Sequence, residues 1–139
     1  MFDEQDTTKI KELINEAISA REYAYAKFSN FMVGAAILGE NGKIYRGCNV
    51  ENSSYPATNC AERTAVFSGI ADGCKNFSAI AIVGGKENEE LDYCYPCGIC
   101  RQVLFEFADS EKFYVIVAKS TTIYKIYTLD ELLPHGFKL

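Results

Sequence analysis

The stretch FSAIAIVGG, residues 77–85, is apolar at almost every position. A strand exposed on one face alternates apolar and polar residues, whereas a strand covered on both faces is apolar throughout. This segment therefore predicts a strand inside a sheet that carries helices on both sides. The rest of the chain should provide the neighbouring strands and these helices.

Two helices and a hairpin are predicted before this strand. In the first segment, apolar residues occupy one helical face: Ile10, Leu13, Ile14, Ala17 and Ile18. This spacing predicts an amphipathic helix from about residue 7 to about residue 26. Two strands within residues 31–50 are separated by Asn41-Gly42, a dipeptide typical of tight hairpin turns. Residues 60–73 are rich in helix formers and predict a second helix.

After the strand at residues 77–85, the sequence predicts a helix over 97–108 and strands over 113–119 and 123–129. A short helix then begins with a capping box at Thr128. The order αββαβαββα predicts a mixed five-stranded sheet, because the hairpin is antiparallel and helical crossovers favour parallel pairing. We expect an α/β fold in which residues 1–139 form one domain.

Composition and charge narrow the possible functions. The chain has 139 residues, a net charge of −5 and no cluster of lysines and arginines, which argues against a nucleic-acid partner. The N-terminal sequence lacks the features of a signal peptide, and no apolar run approaches the roughly 20 residues that span a bilayer. We expect a cytoplasmic protein without a membrane partner. Its six cysteines should be reduced, and a tight cysteine cluster should be catalytic or bind metal.

Cys97 and Cys100 form the first part of a candidate metal site. They follow Pro96 and lie three residues apart in the first turn of the predicted third helix, so they share a face. The positive end of the helix dipole lowers thiol pKa values and favours the thiolates that a metal needs. Two thiolates fill half of a tetrahedral zinc site, so another part of the chain must contribute.

Cys60 and Glu62 supply the missing groups. Cys60 begins the predicted second helix, and the pattern C-x-E … P-C-x-x-C is the signature of zinc-dependent deaminases in the form with three cysteines. Three protein ligands leave zinc one position at which it activates water. Glu62 is not a ligand in this pattern and is the candidate proton carrier. Arg63 is a candidate for hydrogen bonding to the ligand sulfurs, which would offset the negative charge of three thiolates.

A structural zinc site is the alternative interpretation of the C-x-x-C pattern. A zinc-stabilised binding module without catalysis needs a fourth protein ligand, and Cys94 is the only close candidate. That alternative gives no reason for Glu62 to lie beside the first cysteine. Cys48 and Cys74 are expected to be small apolar residues, and His135 is expected to be a surface residue.

Five motifs, taken in order, resemble the small cytidine deaminases of nucleoside salvage. They are FMVGAAIL at 31–38, YRGCNVENSSYP at 45–56, NCAERTAVFSGI at 59–70, PCGICRQV at 96–103 and TLDELLP-GF at 128–137. The resemblance implies a three-layer α/β/α sandwich and one zinc ion per subunit. It also implies pyrimidine salvage chemistry, in which cytidine and 2′-deoxycytidine are hydrolysed to uridine and 2′-deoxyuridine plus ammonia.

The same resemblance implies roles for individual residues. The zinc ligands are Cys60, Cys97 and Cys100, and the proton carrier is Glu62. Gln102 resembles a residue that contacts the ligands without binding zinc itself. Asn49 and Glu51 match residues that hold the ribose 3′-hydroxyl, and Phe31 matches an aromatic residue beside the pyrimidine. The Ala61 backbone N–H would bind the edge of the base together with the Glu62 side chain.

The resemblance further implies a homotetramer with catalytic sites at the subunit contacts. Phe137 resembles an aromatic residue that reaches into a neighbouring subunit's site and stacks on the base, and Tyr55 resembles another residue contributed at these contacts. A deaminase of a related small molecule, such as a blasticidin S-type nucleoside or a cytidine nucleotide, would use the same metal site. The negative charge of Glu51 repels a substrate phosphate and therefore favours nucleosides over nucleotides.

Overall fold

The computed structural model describes residues 2–139. The elements, in chain order, are α1 (Thr7–Arg21), β1 (Phe31–Gly39), β2 (Ile44–Cys48), a 3-10 turn (Tyr55–Ala57), α2 (Ala61–Ala71), β3 (Phe77–Lys86), α3 (Gly98–Glu106), β4 (Tyr114–Ala118), β5 (Tyr124–Thr128) and α4 (Leu129–Leu132). The predicted order of helices and strands is confirmed. The capping box at the start of α4 is present, because the Thr128 and Glu131 side chains each bond to the other's backbone N–H.

The five strands form one mixed sheet in the order β2-β1-β3-β4-β5. The central strand β3 pairs antiparallel with β1 and parallel with β4, while the outer pairs β1–β2 and β4–β5 are antiparallel. Both β2 and β3 therefore run in the same direction, and each is followed by a helix. The two helices α2 and α3 consequently begin at the same edge of the sheet, where strands β2 and β3 end.

Helices cover both faces of the sheet, which confirms the three-layer prediction. On one face, α1 residues such as Ile10 and Leu13 pack with Ala36, Ala81 and Ile116 of the strands. On the other face, a second core joins residues of α2, α3 and α4 to alternate strand residues: Ala65, Val66, Leu104, Leu129, Ile37, Ile80, Ile82 and Val115. Strand β3 is buried at every position except its last residue, as its apolar sequence predicts.

Helix α1 is shorter than predicted. It ends at Arg21, whereas the sequence pattern extended it to about residue 26. The chain leaves the helix because Tyr25 pairs with a distant segment: its N–H donates to the Asn49 carbonyl at 2.9 Å, and its carbonyl accepts from the Glu51 N–H at 2.8 Å. Within residues 2–139, no helix combines the length and hydrophobicity required to cross a membrane.

Candidate active site and metal centre

Three cysteine sulfurs converge where α2 and α3 begin. Cys60 is the residue that precedes α2, Cys97 precedes α3, and Cys100 lies in the first turn of α3. The Cys60 and Cys97 Sγ atoms are 3.8 Å apart, the Cys97 and Cys100 Sγ atoms are 3.6 Å apart, and all three sulfurs lie within 4.8 Å of one another. A tetrahedral zinc ion with Zn–S bonds of about 2.3 Å requires sulfurs about 3.8 Å apart. The three residues therefore fit a zinc ion.

The local fold directs these thiols toward one point. Within the described chain, neither Cys60 nor Cys97 uses its side chain to cap the helix that follows, so both thiols are available to a metal. The positive ends of two helix dipoles meet there and stabilise thiolates. Gly47 of β2 allows α2 to lie close against the sheet, because a Cβ at this position would be 2.2 Å from the Ala61 carbonyl oxygen.

Arg63 contacts the metal site as the sequence predicts. Its Nη2 atom donates a hydrogen bond to the Cys60 Sγ at 3.3 Å. The neighbouring Cys100 thiol and the Arg63 guanidinium lower the pKa of Cys60 to about 5. The lowered pKa favours the thiolate form of Cys60, which is the form that binds zinc. The positive charge of Arg63 also offsets part of the negative charge that the sulfurs bring to the site.

Glu62 lies in the first turn of α2 and is almost completely buried, with 4% of its surface exposed. Burial raises the pKa of its carboxyl group to about 7, and the negative charge of Cys60 contributes to this shift. A carboxyl group with a pKa near the working pH can both accept and release a proton. Glu62 thus has the burial, the position and the pKa of a general acid–base group beside the sulfur cluster.

Asn49 and Glu51 face the beginning of β1, where Phe31 is located. The Asn49 Oδ1 atom accepts a hydrogen bond from the Val33 N–H at 2.9 Å, and its Nδ2 atom donates to the Phe31 carbonyl at 2.8 Å. Glu51 accepts from the N–H groups and the hydroxyl of the loop before Phe31. The structure therefore brings these three predicted site residues together, and Phe31 keeps 36% of its surface exposed.

Tyr55 and Phe137 are exposed aromatic residues. Tyr55 begins the 3-10 turn and is 72% exposed, and its ring lies edge-on to the Phe28 ring with 5.8 Å between centroids. Phe137 is 64% exposed in the C-terminal tail. The Gln102 side chain donates from Nε2 to the Phe137 carbonyl at 3.1 Å, so its partner in this structure is the tail.

Comparisons with known proteins identify the family. Residues 7–117 match the family model described as the cytidine and deoxycytidylate deaminase zinc-binding region. This chain belongs to the cytidine and deoxycytidylate deaminase family. The matched region spans Cys60, Glu62, Cys97 and Cys100, and the cluster of Cys60, Cys97 and Cys100 is able to bind one metal ion.

Individual relatives agree with this assignment. A cytidine deaminase of Sporosarcina psychrophila is 44% identical over 92% of this chain and 90% of its own length. The crystal structure of a cytidine deaminase from Burkholderia pseudomallei has a TM-score of 0.81 and 44% identity, with 91% of this chain and 97% of that chain covered. A blasticidin-S deaminase of Bacillus cereus is 31% identical over 73% of this chain and 74% of its own length.

Helix α4 and the C-terminal tail of this family member are held by hydrogen bonds to α3 and its flanking residues; α3 follows Cys97 and contains Cys100. Arg101 donates from Nη1 to the Leu132 carbonyl at 2.6 Å and from Nε to the Pro96 carbonyl at 2.7 Å. Lys138 donates to the Ala108 carbonyl at 3.3 Å. Sequence reasoning missed the Arg101–Leu132 and Lys138–Ala108 contacts because their partners lie 31 and 30 positions apart in the chain, although TLDELLP-GF had indicated that the tail matters.

Cys94 lies outside the sulfur cluster, as expected from its place before Pro96. Burial raises the pKa of its thiol to about 12, and the Glu62 charge adds to the shift. Its Sγ atom is not one of the three sulfurs that lie within 4.8 Å of one another, so Cys94 is not placed to share their metal ion. The structure also places Cys74 among buried residues and His135 on the surface, as the sequence predicts, while Cys48 is partly buried.

Proposed function

We propose that this protein catalyses the hydrolytic deamination of cytidine and 2′-deoxycytidine to uridine and 2′-deoxyuridine, with release of ammonia. The observation that carries this proposal is the buried Glu62 carboxyl beside three sulfurs with zinc-site spacing. A purely structural zinc site has four protein ligands and needs no buried acid. Family membership and 44% identity to a curated cytidine deaminase support the same activity.

Zinc held by Cys60, Cys97 and Cys100 would supply an activated water molecule for attack on C4 of the base. Glu62 would accept a proton from that water and deliver it to the ring nitrogen N3. The same carboxyl would then carry the second proton to the departing amino group, which leaves as ammonia. A pKa of about 7 suits Glu62 to both directions of transfer at neutral pH.

The sugar and base would be recognised by groups around the start of β1. We propose that Asn49 and Glu51 bind the ribose 3′-hydroxyl, because a hydroxyl both donates to a carboxylate and accepts from an amide. Phe31 would lie beside the pyrimidine, and the Ala61 backbone N–H would bind the base edge together with Glu62. The carboxylate of Glu51 disfavours a nearby phosphate, which supports nucleosides over nucleotides as substrates.

We also propose that residues 1–139 are a single catalytic domain that assembles as a homotetramer and works in cytoplasmic pyrimidine salvage. Tyr55 and Phe137 would then complete sites at the subunit contacts, with Gln102 holding the tail. The high exposure of both aromatic rings supports this part of the proposal, because large aromatic side chains are enriched at protein interfaces.

The test is to load purified protein with zinc and follow the absorbance change of cytidine. Cytidine and deoxycytidine should react, whereas cytidine monophosphate and deoxycytidine monophosphate should react slowly. Glu62→Gln should bind zinc normally and lose about 10²- to 10⁴-fold in kcat, the usual contribution of a general acid–base group. Glu40→Gln is a matched control, because Glu40 is exposed. Zinc-loaded wild-type protein that leaves cytidine unchanged would contradict the proposal.

Blasticidin S belongs in the same substrate panel, because a blasticidin-S deaminase is among the relatives. Faster turnover of blasticidin S than of cytidine would make this related nucleoside the better substrate assignment. A non-catalytic zinc module is less consistent with the site, because Cys94, the candidate fourth ligand, lies outside the group of three sulfurs that are within 4.8 Å of one another.

A further inference from the structure

The loop over residues 26–30 leads into β1, and a backbone hydrogen bond joins its two ends. The Asn30 N–H donates to the Ala26 carbonyl at 2.8 Å, and Asn30 has a φ of 59°, a left-handed conformation that asparagine tolerates better than most residues. Phe28 and Ser29 therefore lie at the turn of this loop. Their N–H groups and the Ser29 hydroxyl need acceptors from another part of the chain.

Glu51 provides those acceptors. Its Oε1 atom accepts from the Phe28 N–H at 2.8 Å and from the Ser29 N–H at 3.1 Å, and its Oε2 atom accepts from the Ser29 hydroxyl. The Ser29 Oγ atom in turn accepts from the Phe31 N–H at 3.0 Å. Ser29 thus connects the Glu51 carboxylate to the residue proposed to lie beside the pyrimidine.

The remaining hydrogen-bond capacity of Glu51 and Asn49 fits one hydroxyl group. A carboxylate accepts about four hydrogen bonds, and the loop uses three of them. The Asn49 amide has two N–H donors, and one of them is used by the Phe31 carbonyl. One acceptor position on Glu51 and one donor on Asn49 are left, which are the two partners that a sugar hydroxyl requires.

We propose that Ser29 is a positioning residue for sugar recognition: its hydroxyl fixes the Oε2 atom of Glu51, so that the carboxylate presents its remaining acceptor position to the 3′-hydroxyl of the substrate. This inference rests on the proposed role of Glu51 in binding that hydroxyl. The two backbone N–H groups bind Oε1 and hold the loop in place without Ser29 Oγ. Removal of the Ser29 hydroxyl therefore releases one oxygen of Glu51 and the Phe31 N–H, while both backbone hydrogen bonds to Oε1 remain.

The test compares cytidine with 3′-deoxycytidine in zinc-loaded wild-type protein and in Ser29→Ala. In wild-type protein, loss of the 3′-hydroxyl leaves Glu51 and Asn49 unpaired, so kcat/KM should be higher for cytidine. In Ser29→Ala, kcat/KM for cytidine should fall about tenfold, mainly through KM, as expected for loss of one hydrogen bond to a charged group. The value for 3′-deoxycytidine should change little.

Three further variants separate positioning from a general structural effect. Ser29→Thr retains a hydroxyl at an exposed position and should restore the preference for cytidine. Ser29→Cys replaces the hydroxyl with a weak donor and should behave like Ser29→Ala, so it provides the same test if the alanine variant folds poorly. Ser68→Ala, which changes an exposed serine on α2, should leave the preference unchanged.

A double-mutant comparison identifies the route of the effect. If Ser29 acts through Glu51, Ser29→Ala should have little further effect on the substrate preference in a Glu51→Gln background. An unchanged preference in Ser29→Ala, or an equal loss for both substrates, would overturn the positioning role while leaving cytidine deamination intact. Wild-type protein that does not deaminate cytidine would overturn the proposed function and the positioning role together.

Discussion

At the scale of single residues, Cys94 and Cys60 offer a direct contrast. Both are cysteines near the metal site, but Cys60 belongs to the group of three sulfurs that lie within 4.8 Å of one another and Cys94 does not. Cys94→Ser should therefore retain one zinc ion per chain, whereas Cys60→Ser should lose zinc, because a hydroxyl is a poor zinc ligand. Metal content measured by atomic emission tests both variants. Loss of zinc from the Cys94→Ser protein would show that Cys94 is a ligand and would contradict this prediction.

The pKa of Glu62 gives a second prediction, for protein stripped of metal by a chelator. The folded-state pKa of about 7 lies above the ordinary value of 4.5, so the folded state binds more protons between these pH values. Stability relative to Glu62→Gln should then fall by about 3 kcal/mol as pH rises from 4.5 to 7. Urea unfolding of both proteins at a series of pH values measures this change. A wild-type protein that gains stability relative to Glu62→Gln as pH rises would contradict the raised pKa.

The predicted site residues differ in what local sequence reveals about them. Cys60 and Glu62 are two positions apart, and Cys97 and Cys100 share one helical turn, so their spacing alone predicts shared geometry. The bond between Ser29 and Glu51 joins residues 22 positions apart and has no such local signal. Its prediction requires knowledge of the tertiary pairing between the loop before β1 and the segment after β2.

At the scale of elements, the same limit explains the end of α1. Periodicity predicts where a helix has an apolar face, but Tyr25 leaves the helix because it pairs with Asn49 and Glu51. The capping box of α4, by contrast, lies within four residues and was predicted correctly. The antiparallel pairing of β4 with β5 follows from the short connection between them, which contains no crossover helix.

Removal of the C-terminal tail should reduce activity without loss of zinc. Truncation after Pro134 deletes Phe137 and the Lys138 contact with the Ala108 carbonyl. Zinc should be retained, because the three cysteines remain, while kcat/KM for cytidine should fall at least about tenfold through loss of an aromatic contact to the base. Deletion of Leu139 alone, a fully exposed residue, is the matched control. Full activity of the protein truncated after Pro134 would show that Phe137 is not part of the site.

At the scale of the whole molecule, exposed aromatic side chains are distributed over several elements. Tyr23 is 75% exposed, Tyr55 is 72% exposed and Phe137 is 64% exposed. Single exposed apolar residues are common, but several large aromatic rings on one small domain favour burial in an assembly. If the proposed homotetramer buries Phe137 at a subunit contact, the tail of one subunit should act on the active site of another.

Mixed assemblies would show whether the tail acts on its own site or on a neighbour's. A Glu62→Gln subunit retains its tail but lacks the proton carrier, and a subunit truncated after Pro134 has the opposite defect. If the tail completes a neighbouring site, co-refolding equal amounts of the two impaired proteins should raise activity to about a quarter of the wild-type value, because half of the sites contain Glu62 and half of those adjoin an intact tail. If each tail serves its own chain, every subunit in the mixture lacks one group, and activity should stay at the level of the separate variants.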